Sequence, residues 1–161
     1  MVYMQHHIQN IIKKYNLIPH PEGGYYREIF RSPTTITSPA VNKERTSATH
    51  IYFFLMEKQI SKFHKVVHDE IWNFYQGDAL KIITFDGETA KETIIGYRQK
   101  DGYAEIIPGG CYQAAESTGE YSLVGCTVAP GFEFEDMSFL SQDDSIKRKL
   151  LESYPEYEKF I

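Results

Sequence analysis

The sequence contains little that would anchor it to a membrane, to nucleic acid or to a structural metal. Its 161 residues include one Trp and two Cys, and no apolar run approaches the roughly 18 residues of a membrane span. Cys111 and Cys126 are not part of a CxxC or CxxC…HxxxH pattern, which excludes a thiolate zinc site. Because 17 Lys and Arg face 22 Asp and Glu, the net charge of −5 argues against a nucleic-acid partner.

The first residues, MVYMQHHIQN, also lack the basic start and apolar stretch of a secretory signal peptide. We therefore expect a cytoplasmic protein with no membrane partner, whose two cysteines are reduced packing residues. A chain of this length can bury a core of its own without disulfides, so a single domain over residues 1–161 is expected.

Aromatic residues are abundant, at 14% of the chain, and consist mainly of 12 Tyr and 10 Phe. This enrichment favours strands over helices. It is equally compatible with an aromatic core and with an aromatic-lined cavity, and composition alone does not decide between them.

Hydrophobic periodicity predicts a mainly β protein with one helix at each end. An apolar stripe at spacings of three and four predicts an N-terminal helix over residues 2–18; its members are Val2, Ile8, Ile11, Ile12 and Tyr15. A closing helix over residues 141–153 would have Ser141 as its N-cap and end before Pro155.

Between the helices, about ten short aromatic and β-branched runs occupy residues 24–140, separated by turn signals such as QGD, DGE, PGG and APG. Strands at this spacing are typical of a sandwich or barrel. The last of these runs, FEFEDMSF, is predicted to be a strand with Phe132, Phe134 and Asp136 on one face and Glu133 and Glu135 exposed on the other. Residues 32–47 form one long polar loop, of the kind that often serves as a lid or exchange segment.

Polar residues interrupt the strands in three places, and such places are candidate sites because a buried polar group is costly unless it has a partner. The first has His64, His68, Asp69 and Glu70 within seven residues, with Trp72 and Phe74 on the Glu70 face. The second is Gln113, beside two alanines. The third is Asp136.

Two spaced motifs in this part of the chain resemble those of the cupin superfamily. His64, Glu70 and Gly77 follow the spacing of the first motif, G-x5-H-x-H-x3-4-E-x6-G, and 102–113 resembles the second, G-x5-P-x-G-x2-H-x3-N. The phrases HPEGGYYRE, HDEIWNFYQGD and LVGCTVAPGFEFED are similar to those of a small single-domain cupin family of unassigned function. The resemblance covers residues 8–140. It implies an RmlC-like jelly roll, that is, a double-stranded β-helix with a ligand cavity at one end, and a homodimer.

The sequence departs from the metal-binding cupins, which present three His and one Glu. His64 and Glu70 are present, but Val66 and Gln113 occupy the positions of the second and third His. One imidazole, one carboxylate and one amide are a poor ligand set for a transition metal. A weak divalent-metal site at His64, Glu70 and Gln113 remains one alternative.

A second comparison is with the metal-free cupins that epimerise dTDP-sugars. PEGGYYRE is similar to their segment D-x-R-G-x-F-x-E in Gly24, Tyr26 and Glu28, but has Gly23 at the Arg position. The resemblance implies that His64 would be a general base oriented by Asp136 or Glu70. Phosphate-binding charge would have to come from Arg27 and Arg31.

Three functions are therefore open. The first is an epimerase-like or isomerase-like enzyme acting on a sugar-like or acidic carbonyl compound, the second a non-catalytic binding module, and the third a cupin with a degenerate metal site. All three place a small molecule in the barrel. Catalytic candidates are His64, Glu70 and Asp136. Ligand-binding candidates are Arg27, Glu28, Tyr52, Phe63, Trp72, Phe74 and Gln113. In a homodimer, the N-terminal segment and the loop at 32–47 would reach the partner subunit.

Overall fold

The computed structural model describes residues 2–98 and 102–161, with side chains from residue 6 onward. The strands are β1 (Ile18–Pro19), β2 (Tyr25–Arg31), β3 (Thr35–Ser38), β4 (Lys43–Thr46), β5 (Thr49–Met56), β6 (Ile60–Val66), β7 (Asp69–Gly77), β8 (Leu80–Phe85), β9 (Ala90–Ile95), β10 (Ala104–Ile107), β11 (Tyr112–Ser117), β12 (Tyr121–Ala129) and β13 (Met137–Phe139). The helices are α1 (Val2–Lys14) and α2 (Asp144–Ser153), with short 3-10 helices at Phe134–Asp136, Leu140–Gln142 and Pro155–Phe160. Within these described residues, neither α-helix has the length and apolar character that a bilayer crossing requires.

The strands form two antiparallel sheets that face each other. One sheet has the order β1-β2-β5-β12-β7-β10 and the other the order β13-β6-β11-β8-β9. Strands β3 and β4 form a separate hairpin. The interleaved strand order is that of the double-stranded β-helix, so the predicted jelly roll with a helix at each end is confirmed.

The main core lies between the two sheets. Phe53, Leu55 and Trp72 from the larger sheet meet Leu80 and Ile82 from the smaller one, and all are essentially inaccessible to water. Burying each of these large side chains stabilises the fold by about 1.5–3 kcal/mol. These side chains fill one part of the space between the sheets, and the cavity described below lies in the remaining part.

Helix α1 covers part of the outer face of the larger sheet. Its apolar stripe packs on Phe54, Tyr121 and Leu123, as an amphipathic surface helix should. The side chain of Val2, the first residue of the predicted stripe, lies outside the described residues. The helix ends at Lys14 and not at residue 18, because Asn16 adopts a left-handed φ of 51° and the next residues pair as β1.

The C-terminal segment covers the outer face of the smaller sheet. Helix α2 begins at Asp144, and its N-cap is Asp143, whose carboxylate accepts a hydrogen bond from the backbone N–H of Ile146 at 3.1 Å. The predicted cap, Ser141, lies in the preceding 3-10 helix. Helix α2 and the last 3-10 helix contribute Leu150, Tyr157 and Phe160 to a second apolar cluster.

Two predicted elements are wrong. Residues 32–47 contain the β3–β4 hairpin in place of a polar loop, because pairing of Thr35–Ser38 with Lys43–Thr46 satisfies their backbone groups. The predicted strand over FEFEDMSF pairs as a strand only from Met137, after a 3-10 turn at Phe134–Asp136. The proposed alternation of Phe and Glu faces in that run is therefore lost.

Candidate functional site

A cavity of about 270 Å³ lies between the two sheets at the end of the barrel where β5 and β7 begin. The register fixes this position, because Val128 near the end of β12 pairs with both Thr49 and Glu70. The cavity is lined by His20, Glu22, Tyr26, Glu28, Arg31, Thr49, Ile51, His64, Val66, Glu70, Cys126, Val128, Phe132, Glu133 and Phe134.

The turn between β1 and β2 carries two of these polar groups, His20 and Glu22, into the barrel. Two glycines follow Glu22 and have left-handed φ values, 113° at Gly23 and 69° at Gly24. A Cβ atom at Gly23 would lie 2.1 Å from the carbonyl oxygen of Ile60, so only glycine fits where the turn crosses β6. The HPEGGYY segment, which the sequence marks only as a turn, thus supplies part of the site.

Glu22 and His64 form the central pair of the cavity. Oε2 of Glu22 lies 3.0 Å from Nε2 of His64, and the hydroxyl of Ser61 donates to Oε1 of Glu22 at 2.8 Å. Ser61 and His64 reach the same carboxyl group although they are three residues apart, because the β6–β11 register shifts between them. A strict period of two would have placed them on opposite faces.

Hydrogen bonding fixes where the protons of this pair lie. Nδ1 of His64 donates to the carbonyl oxygen of Lys62 at 2.7 Å, which leaves Nε2 of the neutral ring as an acceptor. Burial raises the pKa of Glu22 to about 8, against a weaker opposing effect of the Ser61 hydrogen bond, and burial lowers the pKa of His64. At neutral pH, Glu22 is therefore a carboxylic acid that donates to a neutral His64.

His20 is a neutral ring in the same region. Its Nδ1 accepts a hydrogen bond from the backbone N–H of Glu22 at 3.3 Å. Burial, together with the nearby His64, lowers the pKa of His20 to about 3. His20 therefore presents an aromatic surface and carries no positive charge at neutral pH.

Glu70 is the second carboxyl group of the cavity. Nε2 of Gln113 donates to its Oε2 at 2.5 Å, while Oε1 of Gln113 accepts from the indole N–H of Trp72 at 2.8 Å. Burial raises the pKa of Glu70 to about 7, and the neighbouring Glu22 raises it further, while His64 and Gln113 oppose the shift. Because Cys126 lies beside these carboxyl groups and is fully buried, its thiol has a pKa well above 9 and stays protonated.

These protonation states predict that the protein becomes less stable as the pH rises from 6.5 to 8. The pKa of Glu22 exceeds its unfolded value of 4.5, so the folded chain binds more protons in this range than the unfolded chain does. The lowered pKa values of His20 and His64, and those of His50 and His68, oppose this loss until the unfolded imidazoles, with an ordinary pKa of 6.5, have released their protons near pH 7.5. The free energy of unfolding should therefore fall by about 1 kcal/mol, or about 2–4 °C in Tm, over this interval.

The variant Glu22→Gln should remove most of this slope, since an amide does not titrate. The exposed Glu57→Gln, also a loss of one carboxyl group, should keep the wild-type slope. A pH-independent Tm in the wild-type protein would contradict the protonated state of Glu22.

The cavity does not fit the metal that cupins commonly bind. Both ends of the Gln113 amide are engaged, and His64 presents its Nε2 to Glu22. Over residues 2–98 and 102–161, no group of three or more His, Cys, Asp or Glu is arranged to hold a metal ion. The set proposed from sequence, His64, Glu70 and Gln113, therefore lacks a free third ligand.

Asp136 does not orient His64. It forms a two-point salt bridge with Arg45 of β4, with Nε to Oδ2 at 2.7 Å and a second bond at 2.8 Å, and it does not line the cavity. Its hydrogen bonds from Arg45 lower its pKa. The predicted dyad is therefore replaced by Glu22–His64, with Asp136 anchoring the β3–β4 hairpin.

Most residues of the predicted pocket wall also lie elsewhere. Trp72 is core, Phe63 packs beneath the C-terminal segment, and Phe74 packs at the edge of the core. Tyr52 faces outward against α1, and Arg27, one residue from the cavity-lining Tyr26, is exposed on that outer side. Gln113 does not line the cavity and instead holds Glu70. Of the predicted residues, the cavity contains His64, Glu70 and Glu28.

The mouth of the cavity contains Arg31, whose charge is already paired. Its guanidinium donates to Glu28 at 3.0 and 2.9 Å, to Glu133 at 2.7 Å and to the carbonyl oxygen of Phe132 at 3.2 Å. The positive patch expected for a phosphorylated ligand is therefore neutralised by two carboxylates.

Comparisons with known proteins agree with this architecture. A family model described as "Cupin superfamily (DUF985)" matches residues 9–140. An uncharacterized protein of Saccharomyces cerevisiae is 31% identical over 157 residues, covering 87% of this chain and 78% of that protein. A hypothetical protein from Leishmania major superposes with a TM-score of 0.81 at 27% identity, over 94% of this chain and 95% of that one. A protein of Shewanella oneidensis superposes with a TM-score of 0.78 at 32% identity, over 93% and 91% of the two chains.

Proposed function

Because the chain belongs to the Cupin superfamily (DUF985), we propose that its barrel cavity binds a small carbonyl compound and transfers protons on it without a metal. One observation carries this proposal: two carboxyl groups with pKa values of about 7 and 8 share one cavity. Carboxyl groups tuned toward neutral pH are what general acid–base catalysis requires. The engaged Gln113 amide argues against a metal-dependent reaction.

In this proposal Glu70 is the base. Its pKa of about 7 leaves a substantial fraction ionised at neutral pH, while Gln113 keeps one oxygen in place. Glu70 takes the proton from the carbon next to the carbonyl, and the electron pair of that C–H bond forms the carbon–carbon double bond of an enol. The Glu22–His64 pair donates a proton to the carbonyl oxygen. In a compound with a hydroxyl group on that carbon, Glu70 then delivers its proton to the former carbonyl carbon and the ionised Glu22 takes the proton of the adjacent hydroxyl, which gives the isomer. Return of both protons to their first positions gives exchange with solvent alone.

Size and charge limit the substrate. A cavity of about 270 Å³ is slightly smaller than the pockets that hold drug-sized ligands, which measure roughly 300–1,000 Å³. At its mouth, Arg31 is paired with two carboxylates, Glu28 and Glu133, and the deeper Glu70 is partly ionised, so a negatively charged group would be repelled. We therefore favour a carbonyl compound without a negative charge over the acidic compound that the sequence left open.

Solvent-deuterium exchange tests this function. The chelator-treated protein is incubated in D₂O with a panel of small aldoses, ketoses, amino ketones and 2-oxo acids, and deuterium is located by NMR and mass spectrometry. We expect deuterium on the carbon next to the carbonyl of uncharged or cationic compounds only. Exchange that requires added metal, or that favours the acids, would contradict the proposal.

A non-catalytic binding module is the second candidate. The observation that favours it is that Glu22 and His64 satisfy each other's hydrogen-bonding groups. The pair would then maintain the shape of the cavity without taking part in a reaction. Saturable binding of a compound from the same panel, with no deuterium incorporated after long incubation, would favour this module over the enzyme.

We also propose that the protein forms a two-fold dimer through the outer face of the larger sheet. Pairing register places Phe30, His50, Thr127, Ile71 and Ile106 in one row across five strands. The apolar members are 37–64% exposed. In a two-fold dimer, this row of one copy would pack against the same row of the second copy.

The substitution Ile106→Lys tests this interface, because it places a charge in the row. It should yield monomers at micromolar concentration in light scattering, where the wild-type protein is dimeric. Ile36→Lys changes another exposed isoleucine, in the segment 32–47 that the sequence suggested for the contact, and should leave the dimer intact if the row on the sheet forms the interface. A monomeric wild-type protein, or dissociation in both variants, would contradict the assignment.

A reducing compartment such as the cytoplasm fits both cysteines. Cys111 and Cys126 are free thiols, and Cys126 lies in the cavity wall. We propose a cytoplasmic location on this basis, since free buried thiols persist where glutathione keeps them reduced.

A further inference from the structure

One side of the cavity mouth is an aromatic wall. His20, Tyr26, Phe132 and Phe134 all line the cavity. Ring centroids are 4.5 Å apart for His20 and Tyr26, 5.9 Å for His20 and Phe134, and 5.1 Å for Phe132 and Phe134. His20 is neutral, and the His20–Tyr26 and Phe132–Phe134 contacts are edge-to-face, with interplanar angles of 86° and 81°, so the four rings stand at angles to one another around the cavity mouth.

Carboxyl groups outnumber cations around this wall. Glu28 and Glu133 lie at the mouth, and Glu22 and Glu70 lie deeper. Among the described residues that line the cavity, Arg31 is the only Arg or Lys, and it pairs with both mouth carboxylates. One negative charge at the mouth is thus left in excess beside the aromatic wall.

We infer that the ligand is a small organic cation, an amine or quaternary ammonium compound, whose charged group lies against the aromatic wall next to Glu133. Aromatic rings with adjacent carboxylates are the usual means of recognising such groups, because the ring face is electron-rich. The inference rests on one part of the proposed function, namely that the cavity binds a small molecule, and it adds the chemical class of that molecule. Together the two describe an amino-carbonyl compound with its ammonium group at the mouth and its carbonyl near Glu70.

Binding should also release protons. A cation bound in the cavity favours the ionised forms of Glu22 and Glu70, which are partly or fully protonated near neutral pH. Affinity for the cation should therefore rise as the pH increases from about 6.5 to 8.

Calorimetric titration with choline tests the inference, because choline has no carbonyl group and its binding does not depend on turnover. The comparison ligand is its neutral isostere, in which carbon replaces the quaternary nitrogen. We expect choline to bind at least about tenfold more tightly, with proton release visible as a heat that depends on the ionisation enthalpy of the buffer. Equal affinity, preference for the isostere, or no choline binding at millimolar concentration would overturn the inference.

Two exposed aromatic residues provide a matched pair of variants. Phe134 in the wall is 50% exposed, and Tyr97, which does not line the cavity, is 63% exposed. Phe134→Leu should weaken choline binding at least about threefold and hardly affect the isostere, whereas Tyr97→Leu should change neither. If choline does not bind but a neutral carbonyl compound still exchanges deuterium, only the cation inference fails. If choline binds but no compound exchanges deuterium, only the proton-transfer proposal fails.

Discussion

Replacing Arg45 with Met should destabilise the protein by about 3–5 kcal/mol, although Arg45 touches no part of the cavity. The Arg45 side chain is 7% exposed and the Asp136 side chain 4%, and the two share a two-point salt bridge. The substitution leaves the Asp136 carboxylate buried without its cation, and it also removes the contact with Glu135. Urea unfolding monitored by circular dichroism measures the loss.

Arg31→Met is the matched control. Arg31 also pairs with two carboxylates, Glu28 and Glu133, but its side chain is 39% exposed, so water replaces much of what is lost and the cost should stay below about 1 kcal/mol. The double variant Arg45→Met with Asp136→Leu should regain much of the stability, because it removes both buried charges. A loss in Arg45→Met no larger than that in Arg31→Met would show that the hairpin is not anchored by this pair.

Replacing Glu70 with Gln should reduce proton exchange by about 10²–10⁴-fold, the usual contribution of a general base. The variant keeps the shape of the side chain, and its amide oxygen can still accept the hydrogen bond from Gln113. Binding of an uncharged carbonyl compound should therefore change little while exchange is lost. Rates of deuterium incorporation and calorimetric affinity, measured on the same preparation, separate the two effects.

The exposed Glu57→Gln variant should exchange at the wild-type rate. Glu22→Gln should slow exchange less than Glu70→Gln does, since in our scheme it removes the acid and leaves the base. Exchange by Glu70→Gln within tenfold of the wild-type rate would eliminate Glu70 as the base.

The sequence predicted the strands better than the site. The turn signals DGE, PGG and APG fall where β8, β10 and β12 end, because Gly and Pro interrupt strand pairing. Alternation also put Trp72 on the Glu70 face, which is correct. Depth along the barrel is not encoded in that pattern, however. Trp72 is two residues further along β7 and therefore belongs to the core.

The partner of His64 could not be predicted for a different reason. Glu22 comes from a turn 42 positions earlier in the chain (64 − 22), and Ser61 faces it only because of the register shift in β6. The one local signal was a His and a Glu placed before two glycines in a Pro-containing turn. Asp136 was the expected partner of His64 because its segment was predicted to be a strand, but the 3-10 turn directs the Asp136 side chain to Arg45.

The resemblance to cupins supplied what periodicity did not. The two motifs located His64 and Glu70, and both line the cavity. The departures at Val66 and Gln113 were equally informative, because Gln113 serves as a hydrogen-bonding support for Glu70 where the motif has a third imidazole. The aromatic residues that line the cavity are Tyr26, Phe132 and Phe134. The predicted ligand-binding aromatics, Tyr52, Phe63, Trp72 and Phe74, do not line it.

The proposed mechanism requires that two carboxyl groups of this cavity, Glu22 as the acid and Glu70 as the base, titrate near neutral pH. Carbon-13 NMR of the side-chain carboxyl signals, assigned with Glu22→Gln and Glu70→Gln, measures this directly as a function of pH. We expect titration midpoints near 8 for Glu22 and near 7 for Glu70. Midpoints near the ordinary value of 4.5 for both would contradict the account, because the cavity would then contain permanent carboxylates and no acid.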